Sequence, residues 1–460
     1  MIKKIAIVSL GIIIWFLPHP NEIDHTAWHL FAVFITTIFG VITGAFNILV
    51  ASILGMVIAV ITNTIDASTA FSGFSNDIVL LIVLAFMIAK AIVKSGFGKR
   101  IALLMIRRFG STTLGLGYSL IATDMIISPA FPSNTARTGL LFPIIYSVSE
   151  VNGSDPEKGT RKKLGAFLMF SSMYGIGLSS ALWLTAMAAN PVGVSIAQSF
   201  GVNISFGTWV LAASVPTIVS AIFVPWILYR IFPPQIKNTP EAPNHATKEL
   251  ISMGSMSRDE IITGVVFALL VVFWALSGLL DLNKTIIAFF GFALLLVTNV
   301  FKVKEIKNEG EALSTMIWFA ILFIMSSQLN EMKFMDYVGD VLANHISGIN
   351  INIAFIMLVF VYIVLHYLFV SQTAHLMALM GVFMGAGKSL GIDPVPLALM
   401  LLFATNYFSV LTPQGSSCNI LYISSGYITP KEVYKYGGIL TLLSFIIYIV
   451  IGLPWIKIVM

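Results

Sequence analysis

The sequence contains little charge for its length. Asp, Glu, Lys and Arg make up 10% of its 460 residues, whereas a soluble domain contains about 25%. Hydrophobic residues make up 57%, and the mean hydropathy is +0.93. A folded chain cannot hide this much apolar surface from water, so the composition excludes a water-soluble domain and indicates a protein embedded in a lipid bilayer.

Residue types that support covalent or metal chemistry are also scarce. Cysteine occurs once, as Cys418, which excludes a disulfide framework and a cysteine zinc site. The sequence has no phosphate-binding Walker motif, and its histidines and carboxylates do not follow a metal-ligand spacing. We therefore expect no enzyme activity, no catalytic residue, no metal centre and no cofactor. The net charge of +5 is modest and fits cytoplasmic loops rather than a nucleic-acid surface.

Long apolar runs are what the sequence has in abundance, and they predict an all-α polytopic membrane protein. The first run, in "MIKKIAIVSLGIIIWFLPHP", resembles a signal peptide but lacks a small-x-small cleavage site, so we expect it to be kept as a span. Eleven runs are candidate transmembrane helices: 3–18, 26–44, 46–62, 77–94, 164–180, 208–231, 261–280, 285–301, 312–327, 396–411 and 436–456.

The placement of Lys and Arg predicts which segments cross the membrane. Positive residues cluster before the first run, after the fourth run and at 158–163, and such residues mark the cytoplasmic side. The apolar region 111–147 therefore starts and ends in the cytoplasm, so it enters the membrane and returns. By alternation, region 350–388 enters and returns from outside. This predicts a cell-membrane protein with a cytoplasmic amino terminus and an external carboxy terminus.

Each of these two re-entrant hairpins carries a polar break at its tip. The first reads "FPSNTART" at 131–138, and the second reads "VSQTAHLM" at 370–377. Another broken apolar stretch follows each one, at 177–193 and at 411–427. Residues 26–231 and 261–456 are therefore predicted to be two inverted repeats, an arrangement typical of secondary transporters.

Three further segments are too polar to cross the membrane. The proline-rich and charged stretch 232–260 is interpreted as a cytoplasmic linker between the repeats. Segments 99–109 and 331–346 are interpreted as interfacial helices that lie flat on the membrane. The second places Phe334, Val338, Val341, Leu342 and Ile346 on one helical face. Short helices packed on protein are an equally good interpretation.

A broken helix in hydrocarbon must satisfy its backbone N–H groups, so it survives where it lines a wet cavity or a ligand. In the first tip, Ser133 or Asn134 is a candidate N-cap for a helix that starts near Thr135. The positive end of that helix would point into the membrane and attract anions. Ser371, Gln372 and Thr373 repeat this pattern from the opposite face. Two such ends suit a ligand with a carboxylate at each end; the alternative is that the polar residues satisfy a structural break.

The motifs "PSNTARTGLLFPI", "HYLFVSQTAHLMAL" and "LTPQGSSCNILYISSGYI" resemble those of the divalent anion/sodium symporter family, over nearly the whole chain. They are most similar to its exchanger branch of 2-oxoglutarate/malate translocators and citrate/succinate antiporters. The resemblance implies that substrate binds at Ser133, Asn134, Thr135, Ser371, Gln372, Thr373, Thr412 and Pro413. Gln372 departs from the asparagine of the family pattern, which puts a sodium site there in doubt.

The resemblance also implies a homodimer and an elevator mechanism, in which a transport domain slides against a static scaffold. Each domain is then built from two segments of the chain. The scaffold comprises residues 1–110 and, together with the linker, residues 232–349. The transport domain comprises residues 111–231 and 350–460, each of which contains one hairpin.

Charged and titratable side chains at membrane depth are candidates for function. Arg137 follows the first tip, where it would either attract substrate or pair with Asp124. His375 occupies the matching position after the second tip and is either functional or a structural hydrogen-bonding residue. We interpret Arg137 and His375 as the groups that compensate substrate charge in place of sodium. If Asp124 neutralises Arg137, this role rests on His375 alone.

The sequence thus predicts a secondary active transporter that exchanges dicarboxylates such as 2-oxoglutarate, malate or succinate without sodium. The nearest alternative is a sodium-coupled di- or tricarboxylate symporter, in which sodium would be required. A channel fits less well, because two interrupted hairpins around a midplane site favour alternating access over a continuous pore. The expected partners are the dicarboxylate substrates, the lipid bilayer and a second copy of the chain, with no nucleic acid.

Overall fold

The computed structural model describes residues 2–346 and 348–460. Met1 and Ser347, which fall in the predicted segments 1–110 and 232–349, lie outside the described residues. Within the described residues the fold is all-α, without a β-strand. The helices of the first half are Ile2–Phe16, His25–Ile42, Ile48–Ile61, Ala67–Ser72, Asp77–Ser95, Phe97–Phe109, Thr113–Ile127, Asn134–Val151, Gly165–Leu182, Ala189–Ser199 and Phe206–Ile231.

The second half is helical as well. Its helices are Glu241–Met253, Arg258–Leu276, Lys284–Val297, Val303–Ile306, Gly310–Glu331, Phe334–His345, Ile351–Leu365, Gln372–Ser389, Pro394–Tyr407, Ser417–Ser424, Pro430–Glu432, Gly438–Ile447 and Leu453–Val459. The last three are joined by π-helical turns into one helical stretch, Pro430–Val459.

Every predicted span coincides with a helix, and eight described helices are long and apolar enough to cross a membrane. Seven of the eight match predicted spans. The eighth, Ile351–Leu368, belongs to the second predicted hairpin. Three shorter apolar helices, Ile48–Ile61, Lys284–Val297 and Pro394–Val410, match further predicted spans. The all-helical, multi-pass class is confirmed, whereas the number of eleven crossings stays a prediction.

Helix order and length repeat between the two halves. The arms of the first hairpin contain 15 and 18 residues, and so do the arms of the second. In both hairpins a 3-10 turn follows the first arm, at Ser128–Ala130 and at His366–Leu368. The order of helices therefore agrees with two repeats, and their opposite orientation in the membrane stays a prediction.

The segments predicted to be interfacial form helices that pack on protein. In Phe334–His345 the buried residues are Phe334, Met335, Gly339 and Ala343, whereas Val341 of the predicted apolar face is 40% exposed. Gly339 lies so close to the second hairpin that a Cβ atom there would be 2.5 Å from the Ala386 nitrogen. The packed interpretation is therefore observed, and a position at the membrane surface stays a prediction.

The predicted linker is more ordered than its composition indicates. It contains the helix Glu241–Met253, whose buried residues are Ala242, Ala246 and Leu250. This helix packs against Phe97–Phe109 and Asn134–Val151. Its buried apolar residues are few and are spaced four apart, so contacts with the neighbouring helices, rather than its own amino-acid composition, stabilise the helix.

Contacts divide the chain into two discontinuous units. The first comprises the described residues of Met1–Val83, Pro191–Ile204 and Glu309–Leu402. The second comprises Leu84–Asn190, Ser205–Asn308 and Phe403–Met460. The first hairpin belongs to the second unit, and the second hairpin belongs to the first unit. The predicted division into scaffold and transport domains stays a prediction.

The second unit is built around one fully buried helix. All 18 residues of Gly165–Leu182 are buried, and Phe167, Phe170 and Tyr174 contribute to the surrounding hydrophobic core. Gly165 is required by close packing, because a Cβ atom there would lie 2.1 Å from the Tyr427 ring. This helix and its broken extension carry the polar groups that meet the first hairpin.

Candidate functional site

The first hairpin tip is formed by local sequence chemistry. Helix Thr113–Ile127 ends in a 3-10 turn that contains Pro129, and the chain is extended at Phe131. Proline restricts the conformation of its neighbours and removes a backbone donor, so the helix cannot continue through Pro132. The second arm begins at Asn134, where the Ser133 hydroxyl accepts a hydrogen bond from the Ala136 N–H at 3.2 Å. Of the two N-cap candidates, Ser133 and Asn134, the structure shows Ser133 as the cap.

The second tip has the same local geometry. Ser371 caps the helix Gln372–Ser389, and its hydroxyl accepts from the Ala374 N–H at 3.3 Å. The His375 N–H donates to the Ser371 carbonyl at 3.0 Å, just as the Arg137 N–H donates to the Ser133 carbonyl at 3.1 Å. Arg137 and His375 therefore occupy equivalent positions in the first turns of the two helices.

Arg137 is fully buried and paired with Asp124, which was one of the two interpretations of this residue. Its Nη1 atom donates to the Asp124 carboxylate at 2.6 Å, and the two side chains are 0% and 1% exposed. The carboxylate also accepts a short hydrogen bond from the Ser179 hydroxyl. Because the carboxylate balances the guanidinium charge, the pair adds no net charge to the second unit.

The second terminal nitrogen of the Arg137 guanidinium, Nη2, donates hydrogen bonds to oxygen atoms around the first tip. Nη2 donates to the Asn134 side-chain oxygen at 2.6 Å, to the Ala186 carbonyl at 3.2 Å, and to the Ser180 hydroxyl in a short hydrogen bond. The Ser180 hydroxyl also donates to the Asn134 oxygen at 2.9 Å. A cation that is part of the protein thus occupies oxygen ligands of the kind that a sodium ion would need.

Sequence reasoning did not single out Ser179, Ser180 or the asparagines that brace the broken helices. The Asn190 amide donates to the Ser180 carbonyl at 2.8 Å, and the Asn406 amide donates to Asn190 at 2.9 Å. Asn419 donates to the Ser409 and Thr412 carbonyls at 2.7 and 3.1 Å. The signal in the sequence that could have identified these residues was the pair of broken apolar stretches, because backbone carbonyls left unpaired at a helix break need hydrogen-bond donors nearby.

Thr135 contacts the broken stretch 411–427 within its own unit. Its hydroxyl lies 2.8 Å from the Ser417 hydroxyl, and Thr135 is half-buried while Ser417 is exposed. Thr412 is buried and Pro413 is half-buried in the same unit. At this tip, accessible hydroxyl groups therefore lie beside the start of a helix, which is an arrangement that can bind an anion.

The second tip is more enclosed. Ser371 is half-buried, whereas Gln372 and Thr373 are 3% and 9% exposed. The fully buried ring of His375 is in edge contact with Tyr362, Phe369 and His366, at centroid distances of 4.3, 4.9 and 5.2 Å. A charge on this ring would be held among aromatic side chains, away from water. The charge-compensating roles of His375 and Arg137 stay predictions.

Among residues 2–346 and 348–460, no group of three or more His, Cys, Asp or Glu side chains is placed to hold a metal ion.

Comparisons with known proteins agree with the motifs at the tips. The family model described as the sodium:sulfate symporter transmembrane region matches residues 1–460. The chain is 38% identical to the putative malate transporter YflS of Bacillus subtilis over 460 residues, which is 100% of this chain and 96% of the relative. It is 36% identical to dicarboxylate transporter 1 of spinach chloroplasts, covering 98% and 80% of the two chains.

A more distant relative and a solved structure extend the comparison. The L-tartrate/succinate antiporter of Escherichia coli is 29% identical, over 100% of this chain and 98% of the relative. The structure of MtrF from Neisseria gonorrhoeae, described as one of a class of antimetabolite efflux pumps, aligns with a TM-score of 0.58 at 16% identity, covering 98% and 97% of the two chains. That likeness concerns the fold alone. The match over the whole chain shows that this protein belongs to the sodium:sulfate symporter transmembrane family, which is the divalent anion/sodium symporter family that its hairpin motifs resemble.

Proposed function

We propose that the protein exchanges dicarboxylates across the membrane without sodium. It is a multi-pass membrane transporter rather than an enzyme, as the names of its relatives indicate. The observation that carries the proposal is the duplicated helix start, with Ser133 and Ser371 as equivalent caps. A dicarboxylate has two anionic ends, so each end can be bound by one tip. The names of relatives that transport malate or exchange tartrate and succinate support this substrate class.

The hydroxyl of Thr135 is our candidate donor at the first tip, and that of Thr373 is the candidate at the second. Losing one hydrogen bond to a charged group costs about 1.5–3 kcal/mol, or roughly tenfold or more in affinity. We therefore expect Thr135→Val and Thr373→Val each to weaken binding of succinate, measured by calorimetry. The matched control is Thr298→Val, because the hydroxyl of Thr298, the C-cap of helix Lys284–Val297, donates to the Leu294 carbonyl at 2.7 Å. Unchanged affinity in both tip variants would refute the two-tip binding model.

Independence from sodium is supported by the surroundings of Arg137. A sodium ion at the first tip would compete for the oxygens of Asn134, Ser180 and Ala186, which already accept hydrogen bonds from the guanidinium. Because the Asp124 carboxylate offsets most of the charge repulsion between the guanidinium and a sodium ion, the two cations compete mainly for these oxygen ligands. The Arg137 guanidinium therefore takes the place of a sodium ion in binding the oxygen atoms around the first tip.

Exchange rather than net uptake follows if the empty carrier cannot return. Because Asp124 balances Arg137, the positive charge of the empty carrier would come from His375 and the helix ends. Moving uncompensated charge through the bilayer is costly, so the carrier returns only with a dianion bound. If His375 supplies that charge, exchange falls as pH rises and the imidazole loses its proton. His375→Gln should then remove the pH dependence.

The decisive assay is uptake of labelled dicarboxylate into proteoliposomes. Uptake should require internal dicarboxylate and should be equal in sodium and choline buffers. Uptake into empty liposomes that is driven by a sodium gradient would replace the exchanger with the sodium-coupled symporter, and the two outcomes are mutually exclusive.

The proposal also includes elevator movement and a homodimer. It includes eleven crossings of the cell membrane, with the amino terminus in the cytoplasm. The family resemblance implies the elevator movement and the homodimer, and the distribution of Lys and Arg supports the crossings and their orientation. Cysteine pairs that join a hairpin to a predicted scaffold helix should arrest exchange when cross-linked. Full-rate exchange by a fully cross-linked protein would refute sliding for that pair. Labelling of single cysteines from each side of the membrane tests the orientation.

A further inference from the structure

The second unit contains a basic cavity, away from the hairpin tip, that the proposed transport cycle does not use. Its volume is about 390 Å³, and it lies where helix Phe206–Ile231 ends. The lining residues are Leu114, Trp226, Tyr229, Arg230, Pro233, Pro234 and Lys237. Two of the seven are cationic and none is acidic, so the cavity favours an anion. We refer to it as the Arg230–Lys237 cavity.

The rim of the Arg230–Lys237 cavity is held in place by backbone hydrogen bonds on both sides. The N–H groups of Gln235 and Ile236 donate to the carbonyls of Lys162 and Lys163, each at 3.0 Å. The Lys237 carbonyl accepts from the Thr113 N–H at 2.9 Å. The main chain that carries Lys237 is therefore tied to helix Thr113–Ile127 and to the segment at Lys162 and Lys163, although the Lys237 side chain is exposed. A preformed rim reduces the ordering cost of binding.

The polar and aromatic groups of the cavity suit a phosphate at the membrane surface. The guanidinium of Arg230 lies over the Trp226 ring, 5.3 Å from its centroid, and this contact orients the cation. Arginine binds phosphate through several donors, and lysine adds a point charge. Trp and Tyr side chains are enriched at the level of lipid headgroups. Basic pockets beside transmembrane helices are known sites for anionic headgroups.

The cavity is continuous with an apolar face of the same helix. Ile218, Ile222, Phe223 and Trp226 are 50%, 54%, 51% and 43% exposed, and their spacing places them on one side of the helix. Exposed apolar side chains on a membrane-spanning helix face acyl chains. A ligand with a phosphate and long hydrocarbon tails would therefore match both the cavity and this face, whereas a soluble anion would match the cavity alone.

We propose that the Arg230–Lys237 cavity binds the phosphate headgroup of an anionic phospholipid whose acyl chains lie along the exposed face of Phe206–Ile231. The test uses the full chain in a mild detergent, with phosphatidylglycerol and phosphatidylcholine of identical acyl chains as probes. Native mass spectrometry measures the affinity for each lipid. Phosphatidylglycerol should bind more tightly. Arg230→Gln and Lys237→Gln should each weaken its binding by about fivefold, since each basic residue near the surface contributes about that factor.

The matched control is Lys248→Gln, which removes an exposed lysine of the linker helix that does not line the cavity. It should leave the affinity for phosphatidylglycerol unchanged. Gel filtration checks the fold of each variant. Equal binding of the two lipids, or unchanged phosphatidylglycerol binding in both single variants, would overturn the proposal. Displacement of the lipid by an equal concentration of inorganic phosphate would show a site for soluble anions and would also overturn it.

Discussion

Asp124→Asn should destabilise the protein strongly because it leaves the Arg137 charge buried without a counter-charge. The two side chains are 1% and 0% exposed and are 2.6 Å apart, so water cannot compensate for the lost carboxylate. The asparagine oxygen can still accept a hydrogen bond, and the acceptors Ser179 and Asn134 remain. The variant therefore removes a charge more than a hydrogen bond.

The expected loss is about 3–5 kcal/mol, the usual cost of breaking a buried ion pair by removing one partner. With an unfolding entropy of about 2.1 cal/mol/K per residue, this corresponds to roughly 3–5 °C in Tm for a chain of this length. Thermal unfolding of the detergent-solubilised protein, followed by intrinsic fluorescence, measures the shift. The double variant Asp124→Asn with Arg137→Met should be less destabilised than the sum of its single variants, because no isolated charge remains.

The control makes the same substitution in an exposed ion pair. Asp155 pairs with Lys158 at 3.0 Å, and the lysine side chain is 79% exposed. Solvent screens this pair, so Asp155→Asn should shift Tm little. If Asp124→Asn and Asp155→Asn lower Tm equally, the buried pair is not a major electrostatic contact and the reasoning fails.

Two other predictions concern close packing and pH. Gly437→Ala should lower Tm because a Cβ atom there would lie 1.8 Å from the Val410 carbonyl oxygen. Gly438→Ala, the control, has open space at its Cβ position and should leave Tm unchanged. Equal Tm values for the two variants would contradict this prediction. The Lys99 ammonium donates to the Glu249 carboxylate at 2.9 Å and holds its pKa below the ordinary 4.5. Because the folded-state pKa is lowered, this contact stabilises the linker helix above about pH 4.5 and is lost as pH falls through the lower value. Proteolysis of the linker should therefore increase in acid, and Glu249→Gln should abolish that dependence; an identical acid response in the variant would exclude the pair as its cause.

The sequence alone determined the features that depend on neighbouring residues. The break at the first tip follows from Pro129 and Pro132, and its helix start follows from Ser133, because these effects act within one turn of the chain. The same pattern predicted a second helix start at Ser371, Gln372 and Thr373, where the structure shows Ser371 as the cap. Apolar runs predicted the helices because a bilayer selects for them by length and composition alone.

The partners of the buried polar groups depend on how distant segments of the chain pack together. The sequence was consistent with two interpretations of Arg137. In the folded chain Arg137 contacts Asp124 and two serines that lie more than 40 residues away along the chain. The contact between Thr135 and Ser417 joins residues 282 positions apart. In a membrane protein both the core and the lipid-facing surface are apolar, so hydrophobic periodicity carries little information about which faces meet. That is why the complete burial of Gly165–Leu182 could not be predicted, and why the polar network around Arg137 forms only when the broken helices pack together.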